Sequence, residues 1–137
     1  MVIDTSILIH IVFNEPGWKH SYFWLSRQVD LCISAVSLVE AQALVKTRSS
    51  LKSREIDKII NLLGVQVLSF DEPQSISARK AYNVYGKGQK HKAKLNFGDC
   101  LVYGLAATRS DVLAFVGNDF NHIDLEVIQF PIKRNLS

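Results

Sequence analysis

The chain has 137 residues, 47% of them hydrophobic and 21% charged, with a formal net charge of +3. That length fits one domain, able to bury roughly 65–70% of its unfolded surface without disulfides or a structural metal. The composition excludes a disordered chain, and no apolar run reaches the ~18 residues that a membrane span needs. Met1 to Thr5 reads as a short buried strand and Ser6 to Phe13 as the helix after it, with no basic stretch of the kind that opens a signal peptide. Glu15-Pro16-Gly17 breaks that helix. Trp18 to Gln28 is a second helix, with Trp18, Tyr22 and Leu25 on one face. Leu31-Cys32-Ile33 is a compact apolar strand, and Ser34 or Ser37 caps a helix that runs to about Thr47. Ser53 to Leu63 is amphipathic, with Ile56, Ile59, Ile60 and Leu63 on one face and Gly64 ending it. Val65 to Leu68 is the third strand, and Pro73 to Tyr85 a helix closed by Gly86-Lys87-Gly88. Asn96 caps an apolar helix that carries no charge between Asp99 and Arg109. Val112 to Val116 is a fourth strand and Glu126 to Ile128 a short fifth.

Strands alternating with helices imply an α/β fold: a doubly wound parallel sheet of about five strands with helices on both faces, in a single domain spanning residues 1–137. Such sheets bind ligands at the carboxyl ends of their strands, near the switch in strand order. Cys32 and Cys100 lack CxxC spacing and sit in apolar settings, which makes them small core residues and fits a cytoplasmic location. His10, His20, His91 and His122 are scattered, so nothing suggests a zinc site.

Four carboxylates stand at positions that need a reason. Asp4 ends the first strand, where it is either a helix cap or part of a site. Glu40 shares a helical face with Val36, Val39, Ala43 and Leu44; it is either a solvent-facing boundary residue or, buried on that apolar face, a carboxylate that needs a raised pKa, a buried partner or a cation. Asp99, three residues after Asn96, suits the positive end of its helix and points out of the first turn. Asp119 follows the fourth strand in Gly117-Asn118-Asp119, which is also good turn chemistry. If the four converge they repel, since two like charges ~4 Å apart cost about 4 kcal/mol at an effective dielectric near 20. A divalent cation relieves this, and oxygen-only ligands suit Mg²⁺ or Mn²⁺. From Pro73 to Gly98 no residue is acidic, and Arg79, Lys80, Lys87, Lys90, Lys92 and Lys94 form a basic window that is either a solvated surface or a phosphate-binding one.

With these segments in this order the chain resembles the PIN-domain ribonucleases, and among them the VapC-type toxins of bacterial toxin–antitoxin pairs. Val2 to Ser6 looks like the opening strand, Ile33-Ser34 through Val39-Glu40 like the second motif, Leu95 to Cys100 like the third and Gly117 to Phe120 like the fourth. The resemblance implies that Asp4, Glu40, Asp99 and Asp119 are the catalytic and metal-binding set, holding Mg²⁺ or Mn²⁺, with Ser6 and Thr5 supporting them. It implies an RNA substrate cut by a metal-dependent endoribonuclease, an antitoxin protein that fills the active-site groove, and a homodimer. Lys87, Lys90, Lys92 and Lys94 would then clamp RNA, and Trp18, Trp24 and Tyr85 are candidates for stacking on bases. One departure is Asn121-His122-Ile123-Asp124, where many relatives have Thr before the last Asp; Asp124 is placed in an outer shell.

Three rivals remain. A PIN-like module without catalysis would bind RNA or protein, and metal binding separates it from the enzyme. An aspartyl-phosphate phosphatase wants a second acid two residues after the first, where Ser6 stands. A dinucleotide-binding fold lacks its third glycine, because Gly86-Lys87-Gly88 is an isolated fragment that follows a helix.

Overall fold

Strands buried on both faces read as apolar runs rather than alternating ones. In the computed structural model, which describes residues 1–131, the strands are β1 (Val2–Ile3), β2 (Cys32–Ser34), β3 (Gln66–Leu68), β4 (Leu113–Val116) and β5 (Val127–Phe130); the central β1, β2 and β4 are such buried runs, and the edge strands β3 and β5 are partly exposed. All paired neighbours are parallel, in the order β3-β2-β1-β4-β5. The chain steps outward from β1 through β2 to β3, then returns to the other side of β1 for β4 and β5. The strand order therefore reverses between β1 and β4.

Side chains alternate between the two faces of this sheet. Ile3, Ile33, Ala114 and Val116 pack in one core with α1 (Thr5–Val12), α2 (Trp18–Ser26), α3 (Ala35–Arg48) and α4 (Glu55–Leu63). Val2, Cys32, Leu113 and Phe115 pack in the other with α5 (Glu72–Tyr85) and α6 (Phe97–Arg109). Phe115 and Phe120, both fully buried, meet edge to face at 5.3 Å in the second core. The two cysteines are buried and free, as their apolar settings predict.

Caps fix where the helices begin. Asp4, Ser34, Asp71 and Asn96 each accept a backbone N–H of the first turn that follows. Ser34, not Ser37, caps α3, because the helix starts directly at the strand end. For the same reason α1 begins at Thr5, one residue before the sequence predicts. Gly64, at φ +64, terminates α4 in the left-handed conformation that glycine adopts without strain. The sequence reading misses a 3₁₀ turn at Ser50–Lys52 and places β5 slightly early. In α6, a Cβ at Gly104 would run into the backbone carbonyl of Gln74, so α5 and α6 cross with their backbones in close approach.

Candidate active site

The reversal of strand order brings the carboxyl ends of β1 and β4 side by side, where a crevice forms in sheets of this kind. Hydrogen bonds lock that edge. The Asp4 N–H donates to the Ala114 carbonyl at 2.9 Å. The Val116 N–H donates to Ser6 Oγ at 3.0 Å, joining residues 110 apart in the chain. The Thr5 hydroxyl donates to the Ser37 carbonyl at 3.3 Å, which ties the start of α1 to α3.

Two acids are bound into the backbone here. Asp4 Oδ2 accepts the Ser6 N–H at 3.1 Å. Asp99 forms a reciprocal box with Asn96: its Oδ2 accepts the Asn96 N–H at 3.0 Å, and its own N–H donates to Asn96 Oδ1 at 2.8 Å. Asp4 is thus the cap of α1, and Asp99 is the third-position partner of the Asn96 cap of α6, so each has the local structural role that its simplest reading proposes. Neither Oδ1 has a hydrogen-bond partner among the described residues. Capping uses one oxygen of each carboxylate and leaves the other.

Asp4, Thr5, Ser6, Glu40, Asp99 and Asp119 line one cleft of about 370 Å³. Among the described residues no lysine or arginine lines it, and none of its four predicted acids forms an ion pair. Asp4 and Asp99 are 6% and 8% exposed. Burial lifts the Asp4 carboxyl to about 6; the Ser6 hydrogen bonds pull it down, and the charges of Glu40 and Asp119 push it up. Burial likewise lifts Asp99 to about 7, against the Asn96 N–H and with the charges of Asp4, Asp119 and Glu40. Asp119 is exposed on the turn after β4, where Gly117 has φ +104.

Of the two positions the sequence leaves open for Glu40, the structure takes the solvent-facing one, with Val39 71% and Leu44 45% exposed beside it. The buried face of α3 is Ser37, Ala41 and Val45, one residue per turn. Hydropathy misleads because α3 is apolar on both sides. Glu40 reaches the cleft from the exposed side, over the first turn of α6.

Glu15 is a cleft residue that the sequence reading treats only as part of a helix break. It lies at the far end of α1 from Asp4, held by Arg48 at 3.8 Å and beside His10 at 3.6 Å. No local pattern marks it, since only the packing of α1 against α3 brings it to the rim. Asp124 does not line this cleft: it is exposed and accepts the Tyr103 hydroxyl at 2.7 Å. Lys87, Lys90, Lys92 and Lys94 stand on the loop between α5 and α6, which leads into Asn96, and do not line the cleft. Trp24 packs edge-on against Phe130, Tyr85 against His91 and Tyr103, and Trp18 against Tyr22. The freely exposed aromatic next to the site is Phe97, at 75%.

Among the described residues no group of three or more His, Cys, Asp or Glu side chains stands close enough together to hold a metal ion. Mg²⁺ needs none, because it keeps several waters and is held by one or two carboxylates. Two buried carboxylates with no cationic partner among the described residues, and an all-oxygen donor set, fit such an ion.

The tie from Ser6 to β4 gives a direct expectation. Ser6→Ala leaves the buried Val116 N–H without its acceptor and should cost about 1–2 kcal/mol, read by urea unfolding. Unchanged stability would mean that the hydroxyl does not hold the sheet edge.

A parallel sheet with acids gathered at its strand-order switch defines a class, and a family model for the PIN domain matches residues 1–126. The chain belongs to the PIN-domain family. Within it, the chain groups with the VapC ribonucleases. It is 36% identical over 126 residues to Ribonuclease VapC42 of Mycobacterium tuberculosis, covering 91% of this chain and 96% of that one. It is 34% identical over 132 residues to Ribonuclease VapC30 of the same species, covering 96% and 100%. Solved structures share the fold. Mycobacterium tuberculosis VapC20, described as a sarcin-ricin loop cleaving toxin, superposes with a TM-score of 0.69 at 14% identity, covering 91% of this chain and 98% of that one. A toxin–antitoxin complex from Klebsiella pneumoniae gives 0.69 at 16% identity, covering 93% and 94%.

Proposed function

We propose that this chain is the ribonuclease toxin of a toxin–antitoxin pair: a cytoplasmic endoribonuclease dependent on Mg²⁺ or Mn²⁺. The observation that carries this reading is the pair of buried acids, Asp4 and Asp99, set in a cleft at the β1/β4 switch without a cationic partner among the described residues. The chain's VapC relatives, named as ribonucleases, support the choice of RNA.

Asp4, Asp99 and Asp119 would hold the cation, directly or through waters. When bound, the cation supplies an activated water and offsets charge on the phosphodiester. Glu40 helps hold it or orients the attacking water. The caps serve this chemistry, because the Ser6 N–H and the Asn96 N–H fix the orientation of Asp4 and Asp99 before any ligand arrives. Ser6 and Thr5 support the acids by fixing the strand edge and the start of α1. Lys87, Lys90, Lys92 and Lys94 steer the RNA backbone toward a cleft whose own charge is negative. The partner is an antitoxin protein that fills the groove, and the toxin pairs as a homodimer; the toxin–antitoxin complexes among the structural neighbours are the support for the first of these.

The test is cleavage of total cellular RNA by antitoxin-free protein, in Mn²⁺ and in EDTA, with cut ends mapped by sequencing. Discrete cuts that need the metal are expected. RNA binding without cutting would instead make the chain a binding module, and cutting that survives EDTA would remove the cation from the mechanism.

A further inference from the structure

Gly98 is the second residue of α6, between Phe97 and Asp99. Its backbone does not explain it. Gly98 is not among the residues with positive φ, and alanine is the better helix former. What explains it is Glu40. A Cβ on residue 98 would overlap Glu40 Oε2 and lie 3.1 Å from Cδ and 3.4 Å from Oε1. The carboxylate of α3 therefore lies directly on the bare backbone of α6, one residue before Asp99. Nothing else fixes it, since among the described residues Glu40 has no hydrogen bond and no ion pair. The surroundings favour it there, because the first turn of α6 is the positive end of the helix dipole.

We propose that Gly98 is a positioning residue: its missing side chain is the seat on which the Glu40 carboxylate rests beside Asp99, within reach of a cation in the cleft. This rests on the cation reading above. Any side chain at 98 pushes the Glu40 carboxylate off that seat. The end of a flexible side chain moves at little cost to the fold, so the loss falls on the site and not on stability.

The test is Gly98→Ala in the full chain, with Mn²⁺ binding by calorimetry, melting temperature in EDTA, and RNA cleavage. Mn²⁺ affinity should fall by about 10–100-fold, the range for residues that orient metal ligands. The melting temperature in EDTA should equal or exceed that of wild type. A role that acts only through Glu40 also predicts non-additivity: in a Glu40→Ala background, Gly98→Ala should cost no further Mn²⁺ affinity. Wild-type affinity in Gly98→Ala would overturn the assignment. So would a lowered melting temperature, or a full further loss in the Glu40→Ala background, since either makes Gly98 a matter of helix packing. Wild-type protein that binds no Mn²⁺ overturns the cation reading as well, and so separates that failure from this one.

Discussion

Asp99→Asn is expected to slow RNA cleavage by at least ~10²-fold, beyond the usual loss for groups one shell away from a metal, and to melt at a higher temperature than wild type in EDTA. The two effects have one cause. Asp99 is 8% exposed, and its negative charge faces those of Asp4, Asp119 and Glu40. Asparagine keeps the cap, because its amide oxygen still accepts the Asn96 N–H now received by Asp99 Oδ2. It removes the charge and with it the repulsion. In excess Mn²⁺ the stability gap should shrink or reverse, because the cation binds the folded wild type and stabilises it by mass action. A substitution that lowers the melting temperature equally with and without metal would reduce Asp99 to a helix cap. Cleavage by the variant at the wild-type rate would remove it from the chemistry.

The second large effect is on pH. A carboxyl near 7 in the folded chain and near 4 when unfolded binds its proton more tightly when folded. Its contribution to stability is then complete below about pH 4 and is lost as pH rises through about 7. For Asp99 alone the loss is roughly 3–5 kcal/mol at full ionisation, and Asp4, at about 6, acts in the same direction. Each raises the other, so their losses do not simply add. The clean measurement is the stability difference between wild type and Asp99→Asn in EDTA. The other titrating groups are common to both proteins and largely cancel. The difference should be small near pH 4.5 and reach its full size above pH 7.5. With Mn²⁺ present the dependence should flatten at neutral pH, because the bound cation favours the ionised acids. A difference independent of pH would mean that Asp99 is ionised without strain in the folded chain.

Buried Asp4 shows why capping and chemistry are not competing explanations for such residues. A cap needs one oxygen at the first turn of a helix. A helix that starts immediately after a parallel strand also starts at the sheet's carboxyl edge. In this fold the residue that caps α1 is therefore forced to the ligand crevice. Asp99 reaches the same place from α6, through a capping box that Asn96 and the apolar run behind it make readable in the sequence.

Much of this was local and so written in the chain. Short apolar runs gave the central strands, because both faces of the sheet are covered there. Asn96 set the start of α6, Gly64 the end of α4, and Ile56, Ile59, Ile60 and Leu63 the buried face of α4. The four acids were found by their positions at two strand ends, in one helix's first turn and on one apolar helical face, together with a resemblance in four short segments. What stayed out of reach depended on contacts between distant parts of the chain. Both sides of α3 are apolar, so only its packing against the first core decided that Ser37, Ala41 and Val45 are buried and Glu40 is exposed. Glu15 reached the cleft because α1 lies against α3. Gly98 acquired its meaning from a carboxylate 58 positions earlier. The strand order, and with it the meeting of Asp4 with the β4 edge, was set by pairings such as Ser6 with Val116, 110 residues apart. Local propensity and hydropathy determine which segments become strands and helices, because those preferences act between near neighbours. Which segments touch is decided only when the chain closes long loops to bury the central strands of one sheet, and that closure turns a cap, a capping box, a turn and one exposed helix position into a single cleft.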